Sequence, residues 1–160
     1  MSAATETRPA EGRNADVLAP VIGGQLATFW LDGDLYGVEV AHVQEVLRSQ
    51  SLTRVPLAPA AVAGLINLRG QVVTAIELRE RLGRPPRPED TDAVVIVVRL
   101  HGEAVSLLVD AIADVVDVDP ADFEAPPDTL DGTARDLIRG AYKLSGQLLL
   151  ALDVNRAVGT

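Results

Sequence analysis

The chain has 160 residues and a formal net charge of −9, with 14 basic and 23 acidic side chains. This length suits one domain or two small halves, since one domain per ~150 residues is the usual expectation. The acidic balance excludes nucleic acid as the main partner, because phosphate binding needs clustered lysine and arginine. The absence of cysteine excludes thiol catalysis, thiolate metal sites and disulfide scaffolds.

The excess negative charge lies entirely in the second half of the chain. Residues 1–88 hold nine acids and nine bases, whereas residues 89–160 hold 14 acids and five bases. Residues 1–20 are small and polar, which predicts a disordered N-terminal tail before a domain at 21–160. Apolar runs such as Val94–Val98 are far shorter than the ~20 residues of a membrane span. We therefore expect a soluble, cytoplasmic protein without direct membrane insertion.

The first half predicts two hairpins separated by a short helix. Two apolar runs, 26–31 and 35–40, flank Asp32-Gly33, a dipeptide that favours a tight β-hairpin turn. The segment VAHVQEVLR at 40–48 has valines at helical spacing, so we expect a short amphipathic helix of about two turns. A short strand near 52–55 and a second hairpin, turning at Arg69-Gly70, follow it.

The second half repeats this order after a linker. Residues 83–92 (GRPPRPEDTD) have the composition of a linker. With a shift of 69, Leu31, Gly33 and Val40 fall on Leu100, Gly102 and Val109. With a shift of 76, residues 64–83 align without a gap on 140–159, and six of the 20 positions are identical. Two copies of one supersecondary unit explain this pattern.

The repeat predicts the fold. Each copy holds about five short strands and one brief helix, and closing so small a sheet into a barrel removes its exposed edges. We therefore predict a mainly all-β protein made of two small, five-stranded, SH3-like β-barrels from an internal repeat, with short helices. The first barrel is expected at about 24–82, the linker at 83–92 and the second barrel at about 93–158.

Polar positions that differ between the two copies are candidates for function. At the second hairpin, Asn67 and Arg69 align with Lys143 and Ser145. An arginine at a hairpin tip is well placed to bind a carboxylate of another chain. The alternatives are a solvated turn or an ion pair within the chain, with Glu77 or Asp34 as its partner.

The expected helix supplies a second candidate. If Val43 and Val46 face inward, Glu45 and His42 project on the other side. Glu45 is then either a recognition carboxylate or a solvated residue paired with Arg48.

Catalytic and metal sites find little support. The chain has two histidines, and His101 lies in a turn dipeptide. No nucleophile elbow, zincin motif or P-loop occurs. The acidic row at 114–122 lacks the glycine of a calcium-binding loop. We therefore expect no catalytic residue, no cofactor and no metal.

Several segments resemble the CheW-type chemotaxis coupling proteins. Asn67-Leu68-Arg69-Gly70, with Gly64 before it and VVTAIEL after it, looks like that family's N-L-R-G signature. Further matches are LYGVEVAHVQEVL, TRVP, LLVDAIADVV and IRGAYKLSGQLLLALDV, so the resemblance covers about 24–158 in order. One departure is Ala75, where the family often has proline.

The resemblance implies a non-enzymatic signalling adaptor. Members of the family couple the cytoplasmic tips of methyl-accepting chemoreceptors to the regulatory domain of a CheA-type histidine kinase and so control motility. By position, Val43, Glu45, Gly64 and Arg69 are similar to partner-contacting residues, and Asn67 belongs to the same signature. The resemblance also implies a protein that is monomeric alone and part of a larger array at membrane-bound receptors.

Two alternatives stay open at this point. One is a specialised CheW-like adaptor of a gliding or reversal system, which needs the same fold. The other is a small metal-dependent hydrolase, which requires the carboxylates of 110–122 to converge in a cleft.

Overall fold

The computed structural model describes residues 24–48 and 50–159, and the predicted tail at 1–20 lies outside them. Short strands form most of the described part, with helices of four to six residues between them. The strands are β1 Gln25–Leu31, β2 Asp34–Glu39, β3 Val43–Leu47, β4 Val62–Leu68, β5 Gln71–Glu77, β6 Val94–Leu100, β7 Glu103–Val109, β8 Ala111–Asp117, β9 Phe123–Glu124, β10 Ile138–Leu144 and β11 Gln147–Leu152. The helices are α1 Leu78–Arg81, α2 Gly132–Leu137 and α3 Val154–Val158. Within these described ranges, no helix has the length and apolar character needed to cross a bilayer.

The predicted hairpins are confirmed. β1–β2, β4–β5, β6–β7 and β10–β11 are antiparallel pairs joined by two-residue turns. Three of these turns have positive φ at both central residues: Asp32-Gly33, Arg69-Gly70 and His101-Gly102. That backbone matches the right-handed twist of the flanking strands, so the turns set the strand register.

The strands form two sheets, and each sheet draws on both copies of the repeat. The first sheet has the order β8-β1-β2-β11-β10-β9, and the second has the order β3-β6-β7-β5-β4. The pairs β3–β6 and β5–β7 join the copies in the second sheet, and the equivalent pairs β8–β1 and β11–β2 join them in the first. The mainly-β prediction with two small sheets is confirmed, and the sixth strand of the first sheet is the two-residue β9.

The predicted division into 24–82, 83–92 and 93–158 follows the sequence repeat and stays a prediction. The hydrogen-bonded sheets are not divided in the same way, because strands cross between copies at four places. A cut within 83–92 therefore separates strands that belong to the same sheet.

Three apolar clusters form the core. The largest contains residues of both sheets, such as Phe29, Ile96 and Leu150, and so fills the space between them. A smaller cluster belongs to each sheet alone. β6 shows why its sequence is a continuous apolar run: Val95 and Val97 face the small cluster, while Ile96 and Val98 face the shared one. A strand buried on both faces needs no polar alternation.

The helix predicted at 40–48 is wrong. Val40–His42 form one 3-10 turn, and β3 then pairs antiparallel with β6. β-branched valines favour a strand, and the hydrogen bonds offered by β6 outweigh a two-turn helix that is marginal by itself. Val46, expected inside, is consequently 42% exposed.

Candidate functional site

The predicted site residues lie on two elements of the second sheet. Val43 and Glu45 belong to β3, Gly64 and Asn67 belong to β4, and Arg69 occupies the β4–β5 turn. The Arg69 guanidinium donates two hydrogen bonds to the Glu45 carboxylate, with N–O distances of 2.6 and 2.7 Å. The structure therefore joins the two charged candidates in one bidentate ion pair.

This ion pair joins the two edges of the second sheet. β3 and β4 stand at opposite ends of the strand order, so a contact between them requires the sheet to curl until its edges meet. Glu45 lies opposite Val97, and Leu47 lies opposite Val95. Both valines belong to the small core of this sheet, so Glu45 projects from the inner side of β3.

Glu45, the acidic partner of the pair, is largely shielded from solvent, whereas Arg69, the basic partner, is largely open to it. The Glu45 side chain is 19% exposed and that of Arg69 is 74% exposed. The hydrogen bonds from Arg69 lower the pKa of Glu45, and a weaker bond from Gln44 acts in the same direction. The hydrogen bonds to Glu45 raise the pKa of Arg69. Both groups are therefore charged at neutral pH, and the guanidinium is displayed outward.

The ion-pair alternatives predicted for Arg69 and Glu45 are wrong in their partners. Glu77 accepts hydrogen bonds from Arg87, and Asp34 accepts one from Arg84. Arg69 instead reaches Glu45, which lies 24 residues away in sequence.

Asn67 and Gly64 have local structural roles. The Asn67 side-chain oxygen accepts a hydrogen bond of 2.9 Å from the Gly70 backbone N–H, which fastens the turn that presents Arg69. A Cβ at Gly64 would lie 2.6 Å from the Thr53 carbonyl oxygen, so only glycine permits that approach. Val43 is half-buried and packs against the shared core.

The second copy lacks the equivalent ion pair. The positions of Glu45 and Arg69 correspond to Asp114 and Ser145, and serine carries no cation. The backbone carbonyl of Asp114 instead accepts a hydrogen bond from the Thr28 hydroxyl. The bidentate pair is thus a property of the second sheet and not of the repeat.

Exposed apolar residues near these elements were missed by the sequence interpretation. Leu57 has a fully exposed side chain and a φ of 64°. Val46 and Val72 are 42% and 62% exposed. Strict strand alternation in 43–47 would have placed Val46 outside, but the helical interpretation hid that signal.

The described residues show no cluster of metal-ligating side chains. In the ranges 24–48 and 50–159, no three His, Asp or Glu side chains are grouped to hold an ion. Asp110, in the acidic stretch that the hydrolase alternative requires, is bound by two arginines. His42 lies 3.9 Å from Glu39, and His101 occupies the β6–β7 turn.

The whole described domain matches one family model, which carries the description CheW-like domain and covers residues 25–159. The chain belongs to the CheW-like family. Its members are scaffolding adaptors of chemotaxis, so this chain is a chemotaxis coupling adaptor and not an enzyme.

Relatives of known name agree with this assignment. The chain is 29% identical over 136 residues to the chemotaxis protein CheW of Treponema pallidum, covering 82% of this chain and 80% of the relative. It is 30% identical over 133 residues to the chemotaxis protein CheW of Rhizobium meliloti, covering 83% and 86%. The crystal structure of the scaffolding protein TtCheW from Thermoanaerobacter tengcongensis matches with a TM-score of 0.76 at 27% identity, covering 87% of this chain and 94% of that one.

Proposed function

We propose that this CheW-like chain couples the cytoplasmic tips of chemoreceptors to the regulatory domain of a CheA-type histidine kinase. It would act in the cytoplasm, at membrane-bound receptor arrays. No bond is made or broken by the adaptor itself. It passes on a receptor displacement through contacts that differ between two signalling states of its partners.

The Glu45–Arg69 pair is the observation that supports a partner surface on the second sheet. Arg69 is anchored through two hydrogen bonds and still leaves most of its side chain open to solvent. A guanidinium that is already oriented loses less conformational entropy when a partner carboxylate binds. Exposed apolar side chains of the same sheet, including Val46 and Val72, would add contact area.

The direct test is Arg69→Glu in co-sedimentation with receptor-containing membranes. The variant places a carboxylate where a partner carboxylate is expected, and like charges at an interface cost several kcal/mol. We expect receptor binding to weaken by at least about tenfold, while the far-UV circular dichroism spectrum stays that of the wild type. Lys143→Glu is the matched control, because it changes the net charge equally at a side chain that is 72% exposed.

A charge-swapped double variant separates partner binding from support of the fold. Glu45→Arg combined with Arg69→Glu restores an ion pair of reversed polarity between the same strands. We expect its melting temperature to return toward the wild-type value while receptor binding remains weak. Recovery of binding in the swapped variant would mean that the pair only braces the sheet, and undiminished binding by Arg69→Glu would contradict the proposed surface.

A further inference from the structure

The linker at 83–92 is tied to the body of the protein by its arginines. The side chains of Arg84 and Arg87 are only 25% and 8% exposed, although the composition of the segment predicts a linker. We propose that residues 84–87 form an ionic strap that holds the two sheets in one relative position, with Arg79, Arg87 and Asp110 as the positioning residues.

Asp110, between β7 and β8, is the centre of this network. Its carboxylate accepts hydrogen bonds from Arg79 at 2.6 and 3.0 Å and from Arg87 at 3.0 Å. It also accepts one from the Asp32 backbone N–H at 2.8 Å. One acidic group thus binds helix α1, the strap and the β1–β2 turn at the same time.

The strap is held through its backbone as well as its side chains. Arg79 donates to the Pro85 carbonyl at 2.8 Å, and the Arg84 N–H donates to the Arg79 carbonyl at 2.8 Å. Arg87 grips Glu77 with two hydrogen bonds of 2.8 and 3.1 Å. For water to replace any one of these hydrogen-bond partners, several hydrogen bonds would have to break together.

The network connects the sheets. Glu77 lies at the end of β5, in the second sheet, and Arg79 follows directly in α1. Arg84 pairs with Asp34 and Asp32 at the β1–β2 turn of the first sheet, and it donates to the Tyr36 hydroxyl at 3.1 Å. The strap therefore crosses from one sheet to the other beside the shared core.

The repeat provides an internal comparison. The position equivalent to Arg79 is Asn155, and the position equivalent to Asp110 is Ala41. The place related to this network by the repeat, with Asn155 and Ala41 in it, therefore has no arginine–carboxylate pair at these two positions. Since the repeat is built without the network at the equivalent place, and a buried ion pair is weak evidence for stability by itself, we attribute the network to positioning.

The consequence concerns coupling and rests on the proposed function. If the two sheets carry contacts to different partners, a fixed relative position is needed to pass a displacement from one partner to the other. Binding of either partner by itself involves only the sheet that this partner contacts. Loosening the strap should therefore reduce coupling while leaving binary binding unchanged.

The first test is hydrogen–deuterium exchange on the full-length protein alone, so it does not depend on any partner. In Arg87→Gln, we expect exchange to rise at least tenfold at the Arg84 amide and in peptides covering the β1–β2 turn. Arg87→Lys keeps the charge but not the bidentate geometry, so it should rescue exchange only in part. Arg156→Gln, at an arginine outside the network with a side chain that is 53% exposed, is the control. Wild-type exchange in Arg87→Gln would overturn the strap.

Arg87→Gln leaves Glu77 without its arginine, and this single variant can fail to fold. In that case Arg87→Gln combined with Glu77→Gln, which removes both charges, is measured in its place with the same expected rise in exchange.

The second test compares binding of each partner with coupling between the partners. For Arg87→Gln, or for the double variant where the single one does not fold, we expect receptor binding and kinase binding within twofold of the wild-type values. We expect receptor-stimulated kinase activity to be at least fivefold below the wild-type activity. Unchanged receptor-stimulated kinase activity, or loss of binding to both the receptor and the kinase, would contradict the positioning role of the strap.

Discussion

Gly64 lies where another segment of the chain approaches β4 too closely for a side chain. Its φ is 154°, and a Cβ there would lie 2.6 Å from the Thr53 carbonyl oxygen. The equivalent Gly140 meets the same restriction, because its Cβ would lie 2.5 Å from the Glu124 carbonyl oxygen. The fold alone thus accounts for glycine at both positions, and contact of Gly64 with a partner stays a prediction.

Gly64→Ala should therefore destabilise the protein. Overpacking against a backbone carbonyl typically costs about 1–3 kcal/mol, and the positive φ adds strain. Urea denaturation followed by the fluorescence of Trp30 measures the change. Gly132→Ala is the matched control, because its Cβ would meet open space at the start of α2 and its φ is not positive. Equal stability of the two variants would contradict the close approach.

Asp110 makes the stability of the protein depend on pH in the acid range. Burial alone would raise the pKa of Asp110, but hydrogen bonds from Arg79, the Asp32 N–H and Arg87 outweigh it and hold the pKa at about 2. A carboxylate with a lowered pKa stabilises the fold above its unfolded pKa, and this contribution is lost as the pH falls toward the folded pKa.

The expected measurement compares wild type with Asp110→Asn between pH 5 and pH 2. The difference in their free energies of unfolding should shrink by about 1–2 kcal/mol as the pH falls, allowing for solvent screening of the partly exposed group. Denaturant unfolding at each pH gives this difference. A difference that stays constant down to pH 2 would mean that the ion network does not lower the pKa of Asp110.

Single residues were predictable where the signal was local. Comparison of the two copies singled out Asn67 and Arg69, and the turn they form is present. The partnership of Arg69 with Glu45 was not predictable, because it joins positions 24 residues apart across the edges of a curled sheet. Contacts of that kind depend on tertiary structure. The helix wrongly predicted at 40–48 suggested Arg48 as the partner of Glu45 instead.

Among the elements, hairpins were predicted well and β3 was not. Two-residue turns such as Asp32-Gly33 demand positive φ, and that demand is visible in the sequence. The apolar residues of 40–48 recur at helical spacing, whereas in a strand Val46 falls on the face opposite to Val43 and Leu47, so the spacing favoured the wrong element. The hydrogen-bonding edge of β6 decides between helix and strand, and β6 lies about fifty residues further along the chain.

The β4–β5 hairpin should depend on the Asn67 side chain. Asn67→Ala removes the hydrogen bond to the Gly70 N–H, and a net loss of about 1 kcal/mol is expected for one such bond. Lys143→Ala, at the equivalent position of the second copy, is the control, because Lys143 pairs with Glu124 and not with its turn. Chemical denaturation of both variants tests this, and a larger loss in Lys143→Ala would contradict the role of Asn67. Receptor binding should also fall in Asn67→Ala, since the turn presents Arg69.

At the scale of the whole molecule, the repeat was predictable and the exchange of strands was not. Pairing within a copy and pairing between copies bury the same alternating faces, so hydrophobic pattern does not distinguish them. The four inter-copy pairs preserve the pseudo-symmetry of the repeat, because β3–β6 corresponds to β8–β1 and β5–β7 corresponds to β11–β2. The prediction of two barrels therefore gives the correct number of sheets. It assigns the strands of each copy to one sheet, whereas each sheet combines strands of both copies.

The exchange of strands predicts that neither copy folds alone. A fragment of residues 24–89 contains β1 and β2 without β8 and β11, and it contains β3 without β6. Its unpaired strand edges and the apolar face that it shares with the other copy would be exposed, which favours association over a stable monomer. We expect fragments 24–89 and 90–159 to lack a cooperative unfolding transition separately and to regain one when mixed in equal amounts. Size-exclusion chromatography should then give a one-to-one complex, whereas cooperative unfolding of either isolated monomeric fragment would mean that each copy can close its own sheet.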